Sequence, residues 1–519
     1  EAAERLPTKQ QQQLLRSQTT GQMQFNHLSR CVPPEQTKGA QERADVAAEQ
    51  AILDMIGKED GQMHDLHMEQ MTLPTRLGGL GVRLIEHYQE SALVGGYMSA
   101  MHQGNCNIFP DDVKAENHRI ETEATYDTQL PWLQAVQRCW SHLCTTVPWI
   151  ELIAQAAIVG VLATSGEDDV TWVTRYERLA RQALLKGVAT DEDGNDEPTE
   201  ADVLRDELQE TVDAFHVEGS DERNTLDENQ KALLTAPGDH LQALSYVSAQ
   251  MSEGPEAQPI RYQRLFSHAK DRLRLEKLRS QMSIAHRCRI TGLLHPMTRA
   301  WLRALPARDS YIVADAEYVW NICTRLGLEQ PSCIGLPKEC TCKAGKGLSI
   351  DQLGWHTRWC PKGGGPLKVH NVVRDTVHAM CVNAGVVAET ETEGLLPNGE
   401  QRPGDVVIHK PTAKDETWVV DVTIVNYLPT TRWMSERTRR KLMDRPGFAA
   451  RAAEQRKRDK KHNGDRMEDR LRARGIQFHP MGFDALGTPG ATWSNLLKKL
   501  SSTAHVRRKH DPKTFRDRW

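Results

Sequence analysis

The sequence predicts a multidomain chain, mainly α-helical over its N-terminal two thirds and closing with a Cys/His motif followed by an α/β domain. Three observations predict it. At 519 residues the chain exceeds what a single hydrophobic core organises. Apolar residues follow helical spacing up to about residue 330, after which cysteines, glycines and short β-branched runs take over. Between them, residues 191–228 hold 16 acids against two arginines, the composition of an acidic linker.

In chain order, residues 1–101 read as a first helical region. Val32-Pro33-Pro34 interrupts it, and from Gln41 to Ile56 the residues Ala44, Ala47, Ala48, Ala51, Ile52 and Met55 recur at helical spacing. The stretch Leu73 to Val82 carries Gly78, Gly79 and Gly81 and reads as a tight turn before an apolar helix, Ala92 to Met101. A phosphate cradle is the alternative, but the Lys-Ser/Thr of a P-loop is absent. Residues 102–190 form a second helical region with Trp132, Trp140, Trp149 and Trp172 as core anchors, and helix resumes over 229–330, where the run Arg261 to Arg279 reads as a solvated basic face.

Bulk chemistry narrows the class. The apolar share of 39 % and aromatic share of 6 % are lean and favour long solvated helices. The net charge of -4 conceals a strong asymmetry: from Arg432 to Arg474 there are 16 Lys/Arg and seven acids. Such a block suits a polyanion partner, with a nuclear localisation signal or a solvated face as alternatives. The 11 cysteines are odd in number and mostly scattered, which speaks against a secreted disulfide scaffold and for a reduced compartment with one metal site. No apolar run reaches membrane-spanning length and no signal peptide opens the chain. It begins with Glu1, as a processed piece or a fragment of a larger reading frame would.

Residues 331–365 carry the metal motif. Cys340-x-Cys342 and His356-x3-Cys360 supply three thiolates and an imidazole, a set that closes a tetrahedral structural zinc site and leaves no position open for a catalytic water. The loop between the halves contains Gly345 and Gly347. Cys333 and His370 stand as reserve ligands.

Residues 366–503 carry the carboxylates. His370 to Ala384 reads as an amphipathic helix ended by Gly385, and Val386 to Glu389 as a strand. Glu389, Glu391 and Glu393 alternate and would share one face if that strand continued. Asp405 opens a strand, and Asp421 interrupts the apolar strand Trp418 to Val425. An acid there is costly unless paired or metal-bound, and two such acids on adjacent strands suit Mg²⁺ or Mn²⁺. Pairing of Asp421 with an arginine in an ordinary sheet is the alternative. The helix that follows carries Lys457, Arg458, Lys460 and Lys461, cations able to assist phosphate chemistry or hold a phosphate backbone. Residues 504–519 form a basic tail.

Residues 340–500 resemble the restriction-like endonuclease region at the C-terminus of site-specific non-LTR retrotransposon proteins. The matching motifs are Cys340-Cys342-His356-Cys360, the link and helix start Cys360-Pro-Lys-Gly-Gly…His370-Asn371-x-x-Arg374-Asp375, the element Arg402-Pro403-Gly404-Asp405 with Gly404 inserted, and Asp421-Val422-Thr423. More weakly, residues 22–57, the turn from Leu73 to Leu84 and Trp301 to Pro306 are similar to the family's thumb and connector. The resemblance implies a PD-(D/E)xK nuclease that nicks chromosomal DNA with Mg²⁺ or Mn²⁺, priming the copying of element RNA. It implies metal ligation by Asp405 and Asp421, an added ligand from Glu389 or Glu391, and a helix lysine, Lys460 foremost, in place of the strand lysine where Thr423 stands. Lys457, Lys461, Arg458 and Arg402 would contact nucleic acid. The implied partners are target DNA, element RNA and a second copy of the chain; the implied location is nuclear. Asp111-Asp112 and Asp168-Asp169 lack the Tyr/Phe-x-Asp-Asp setting of a polymerase palm, so copying of RNA is not expected from this chain alone. The rival expectation is an inactive, zinc-containing nucleic-acid-binding remnant; a cellular repair nuclease would leave the thumb-like segments unexplained.

Overall fold

The computed structural model of the chain describes residues 8–12, 28–58, 63–102, 115, 130–147, 150–152, 155, 209–210, 212–226, 228–235, 262–304, 312–334, 340, 342, 352–360, 362, 364–396, 402–411, 416–428, 434–462 and 465–508. The structure is mostly helical, with a small mixed sheet of four strands in its C-terminal region. Chain contacts divide it into two compact units: Glu1–Gln281 with Leu305–Asp315, and Met282–Ala304 with Ala316–Trp519. The second unit thus starts well before Pro331, because the helix after Ser283 packs with the sheet region. Among the described residues no helix is long and apolar enough to cross a membrane.

The first unit is helical. Pro33-Pro34 starts α1 (Pro34–Ile56) instead of merely preceding it: proline is favoured in a first helical turn, where its missing N–H goes unneeded. After α2 (Asp65–Thr72), the glycine stretch forms a tight turn in which Gln70 Nε2 donates to Gly78 O at 3.0 Å. A Cβ at Gly79 would sit 1.9 Å from Leu73 O, so only glycine fits that close approach. Leu93, Val94 and Tyr97 of α3 (Gln89–His102) pack with Leu133, Val136 and Trp140 of α4 (Pro131–Thr146) and with Phe266 of α5 (Tyr262–Gln281). Trp140 is a core anchor and Trp132 packs beside it, while Trp149 and Trp172 lie outside the described residues. The charged run on α5 is only partly a solvated face. Asp271 is buried and is met by Arg76 at 3.3 Å, by Arg83, and by Arg274 at 3.8 Å. Residues 191–208 lie outside the described residues; the end of the acidic stretch is helical, with the Ser220 hydroxyl capping Asp221–Asn224.

The second unit begins with α6 (Ile284–Leu293) and α7 (Asp315–Leu326). Its sheet follows α8 (Gly365–Asn383). Strands β1 (Val387–Thr390), β2 (Val406–His409) and β3 (Thr417–Val425) form an antiparallel meander. After α9 (Glu436–Asp444) and α10 (Phe448–Asp459), a short ladder joins β4 (Lys461–His462) to β5 (Asp465–Arg466). Helix α11 (Met467–Arg472) leads into β6 (Ile476–Asp484), which lies parallel to β3 at the sheet's edge, and α12 (Ala491–Arg508) follows. One sheet face buries Trp418, Val420 and Val422 against Val377 and Met380 of α8 and Leu496 and Leu500 of α12. The other holds Val407, Val419 and Phe478 over Leu471. At about 2 kcal/mol per buried large side chain, these two layers fix which residues of β3 face which way.

Helix α8 starts earlier than the apolar pattern indicates, because left-handed Gly364 and Pro366 turn the chain into it. It stops as expected: Gly385 has φ 74°, its N–H reaches Val382 O, and Val386 N–H reaches Cys381 O at 2.9 Å. The inserted Gly404 also has a reason. A Cβ there would lie 2.5 Å from Val419 Cγ1 and 2.7 Å from Val420 O. Gly404→Ala is expected to destabilise the unit by about 1–3 kcal/mol through overpacking, read as a lower denaturation midpoint. An unchanged midpoint would show that β3 yields to the methyl group.

Candidate metal centre and carboxylate site

The ligand atoms of Cys340, Cys342, His356 and Cys360 all lie within 4.8 Å of one another. The Cys340 and Cys360 sulfurs are 3.5 Å apart, as are Cys342 Sγ and His356 Nε2. A tetrahedral zinc ion with ordinary bond lengths sets such atoms about 3.5–3.8 Å from each other, so the four residues could hold a metal such as zinc. The local fold explains the geometry. His356 heads a tight turn, Thr357–Trp359, that delivers Cys360. The backbone N–H of Cys342 donates to Cys340 Sγ at 3.4 Å and, with His356, draws that thiol down to about 6. Burial and the neighbouring sulfurs push Cys342 up to about 11. Three sulfurs so close do not all ionise comfortably without a cation among them. The reserve ligands are not used: Cys333 Sγ donates to Thr357 Oγ1 at 3.9 Å, and His370 faces Asp405.

Asp405 and Asp421 are placed by adjacent strands. Asp405 stands at the head of β2, its N–H donating to Val420 O at 2.8 Å, and Asp421 lies mid-way along β3. Asp405 Oδ2 accepts from Val422 N–H at 2.6 Å and lies 3.2 Å from His370 Nε2. Burial alone would raise the Asp405 carboxyl; His370, the Val422 N–H and Lys457 together hold it below its ordinary value. His370 is raised by the same contact. Asp421 goes the other way: burial raises it, Asp405 adds to the rise, and Lys457 only partly offsets both.

One of the helix cations meets the carboxylates. Lys457 Nζ lies 2.8 Å from Asp421 Oδ2 and 3.1 Å from Oδ1. Lys460, the foremost candidate from sequence, is instead the exposed residue that ends α10 and is not brought to the carboxylates. The reason lies in how α10 docks. Its buried face is Ala449, Ala450, Ala453 and Glu454, and Gly482 of β6 lets the helix approach so closely that a Cβ there would sit 2.3 Å from Ala450 O. Lys457 is one turn beyond Ala453 on that face, whereas Lys460 is past the helix. The side chain of Lys461 lies outside the described residues.

No protein-family model matches the chain, and no curated protein is significantly similar to it.

The remaining sequence candidates sit beside the pair, not within it. Strand β1 ends at Thr390, and Glu391 has a left-handed backbone with φ 54°, so Glu389, Glu391 and Glu393 do not share a strand face. Glu391 is held by Arg374 and by Arg402 at 2.6 Å, and Arg402 also meets Glu393 at 3.3 Å. Arg402 is thereby engaged by acids. Glu389 lies 3.7 Å from His409 and accepts from Thr392. One residue was misassigned and one was missed. His370 belongs to the carboxylate site, and its signal was its place on the inner side of a helix packed on the strands. Glu454 is buried and structural, its Oε1 accepting from the N–H groups of Gly482 and Thr492 at 3.1 and 3.2 Å. An acid among three alanines on one helix face was the signal for it.

Proposed function

We propose that residues 366–503 form a metal-dependent DNA endonuclease, and that the chain is the C-terminal part of a retrotransposon reverse transcriptase-endonuclease. The observation that supports this best is the junction of Asp405, Asp421 and Lys457: two partly buried carboxylates from neighbouring strands with one lysine from the following helix. Their oxygens are the hard donors Mg²⁺ or Mn²⁺ takes, and the burial penalty on Asp421, increased by Asp405, is what a divalent cation relieves. Such an ion, held by Asp405 and Asp421, would activate water and neutralise the scissile phosphate. Lys457 stabilises negative charge on the phosphate, and His370 orients Asp405. Water adds to phosphorus, the bond to the 3′-oxygen breaks, and that oxygen takes a proton, leaving a 3′-hydroxyl fit to prime copying of element RNA. The four-ligand cluster holds a structural zinc. The partners on this reading are target DNA, element RNA and a second copy of the chain, in the nucleus.

The test is cleavage of supercoiled plasmid by the full chain with Mg²⁺ or Mn²⁺. Lys457→Ala should slow nicking about 10²–10³-fold, while Lys460→Ala stays within a few-fold of wild type. The reverse order would refute the lysine assignment. A second reading, an inactive nucleic-acid-binding remnant, is favoured by the commitment of Asp405 Oδ2 to His370 and Val422 N–H and of Asp421 to Lys457. Salt-sensitive DNA binding with no cleavage in either metal would decide for it.

A further inference from the structure

Beside the open edge of β6 lies a cavity of about 730 Å³, with Trp418, Phe478 and Leu496 among its apolar lining. Cations from three helices line it: Arg458 of α10, Arg472 of α11, and Lys498 and Lys499 of α12. The one acid in the lining, Glu468, is already paired with Arg472 at 2.7 Å. Arg458, Lys498 and Lys499 make no ion pair among the described residues. Lys499 is held over the Trp418 ring, 4.3 Å from its centre, so its position is set by packing. His479 also lines the cavity, its ring tilted against Trp418 with centres 4.8 Å apart, and its buried Nε2 has no hydrogen-bond partner among the described residues. Burial, with Lys499 and Arg458 nearby, keeps this imidazole neutral, its pKa lowered to about 4. Three unpaired cations and an unsatisfied ring nitrogen in one cavity form a surface that lacks its counter-charge.

We propose that this groove is a nucleic-acid-binding surface that takes a phosphodiester backbone along the β6 edge, separate from the Asp405–Asp421 pair. The positive groups come from separate elements, Arg458 and Arg472 from the last turns of α10 and α11 and Lys498 and Lys499 from the middle of α12, so they offer several contact points, as a chain of phosphates requires. A site for one free phosphate would be built otherwise. No glycine lines the groove, and the Thr492 N–H at the start of α12 is already taken by Glu454. Trp418 is buried beneath Lys499, so contacts run to phosphates and not to stacked bases, and binding is indifferent to sequence. None of the groove residues bonds to Asp405 or Asp421. The inference extends the nucleic-acid half of the function proposed above, includes Arg458, which the sequence already offered as a nucleic-acid contact, and does not depend on cleavage.

The experiment is fluorescence anisotropy of a labelled oligonucleotide against the full chain over a salt series. Replacing Arg458, Lys498 and Lys499 with alanine should lower affinity at least tenfold. The slope of log affinity against log salt should fall by about 2–3 for three lost phosphate contacts. The double variant R458E/K498E leaves the Lys499–Trp418 contact intact and should give a loss of the same order, with an unchanged melting temperature. Equal affinity and slope in both variants overturn the groove while leaving the nuclease reading untouched. Failure of the wild-type chain to bind any oligonucleotide overturns both. Loss of binding to anionic phosphatidylserine vesicles, with oligonucleotide binding retained, would assign the groove to a membrane surface instead.

Discussion

Replacing Asp421 with alanine is expected to abolish plasmid nicking, by on the order of 10³-fold or more, while DNA affinity stays within a few-fold of wild type. Such a loss corresponds to about 4 kcal/mol of barrier. It is large because Asp421 sits between two charges that share its work. Lys457 reaches it at 2.8 Å, and Asp405 is close enough that the two carboxylates influence one another's ionisation. Removing Asp421 leaves Lys457 without a partner and a metal ion with one carboxylate. Folding should suffer little: the side chain pays a burial penalty for its charge, and Lys457 is exposed enough to turn to water. Asp421→Asn keeps the shape and should be as inactive as alanine, which separates charge from packing. Nicking at the wild-type rate by either variant, with Mg²⁺ or Mn²⁺, would remove the pair from the chemistry.

The prediction rests on residues whose visibility in the sequence was uneven. Asp421 was legible because an acid within a run of valines breaks a pattern that needs no alignment to see. The end of α8 was legible for the same local reason, as Gly385 supplies a backbone that other residues resist. The four metal ligands were legible from spacing. Which lysine meets Asp421 was not, because it depends on the phase at which α10 crosses β6, and that phase is fixed by Gly482 and Glu454. His370 was misread as a spare metal ligand, since chain proximity to the Cys/His motif says nothing of the 35-residue contact to Asp405. The alternating Glu389, Glu391 and Glu393 suggested one strand face. The left-handed turn at Glu391, clamped by Arg374 and Arg402, breaks the alternation, and such a clamp joins residues far apart in sequence. The unit boundary at Met282 was hidden too. Helix α6 looks like its helical predecessors, yet Cys288 packs with Tyr427 and Leu442, and Tyr427 Oη donates to Cys288 O at 3.2 Å.

Loss of the Cys/His metal should be felt at the carboxylates as well as in its own loop. Cys342 and His356 flank a thirteen-residue stretch that carries Gly345 and Gly347, and a metal would link its two ends. His356 is preceded by Trp355, which packs with Cys288, Tyr427, Leu428 and Leu442, and Asn426 Nδ2, directly after β3, donates to Trp355 O at 2.6 Å. The metal cluster is therefore tied to the end of the strand that carries Asp421. The wild-type chain is expected to purify with one zinc per molecule, and Cys360→Ser or His356→Ala with far less than one. Zinc fingers gain about 10–16 kcal/mol of apparent free energy from their metal. A loop anchored by Trp355 loses only part of this, yet enough to lower the melting temperature of the unit by many degrees. Nicking should fall in parallel. It should return when Zn²⁺ is restored to a chelated wild-type sample already supplied with Mg²⁺, and should not return for Cys360→Ser. Metal analysis and thermal melting of the same preparations give the answer. A chain that carries no zinc, with Cys360→Ser melting and nicking as wild type, would show that the four ligands meet without a metal and that the loop stands on Trp355 alone.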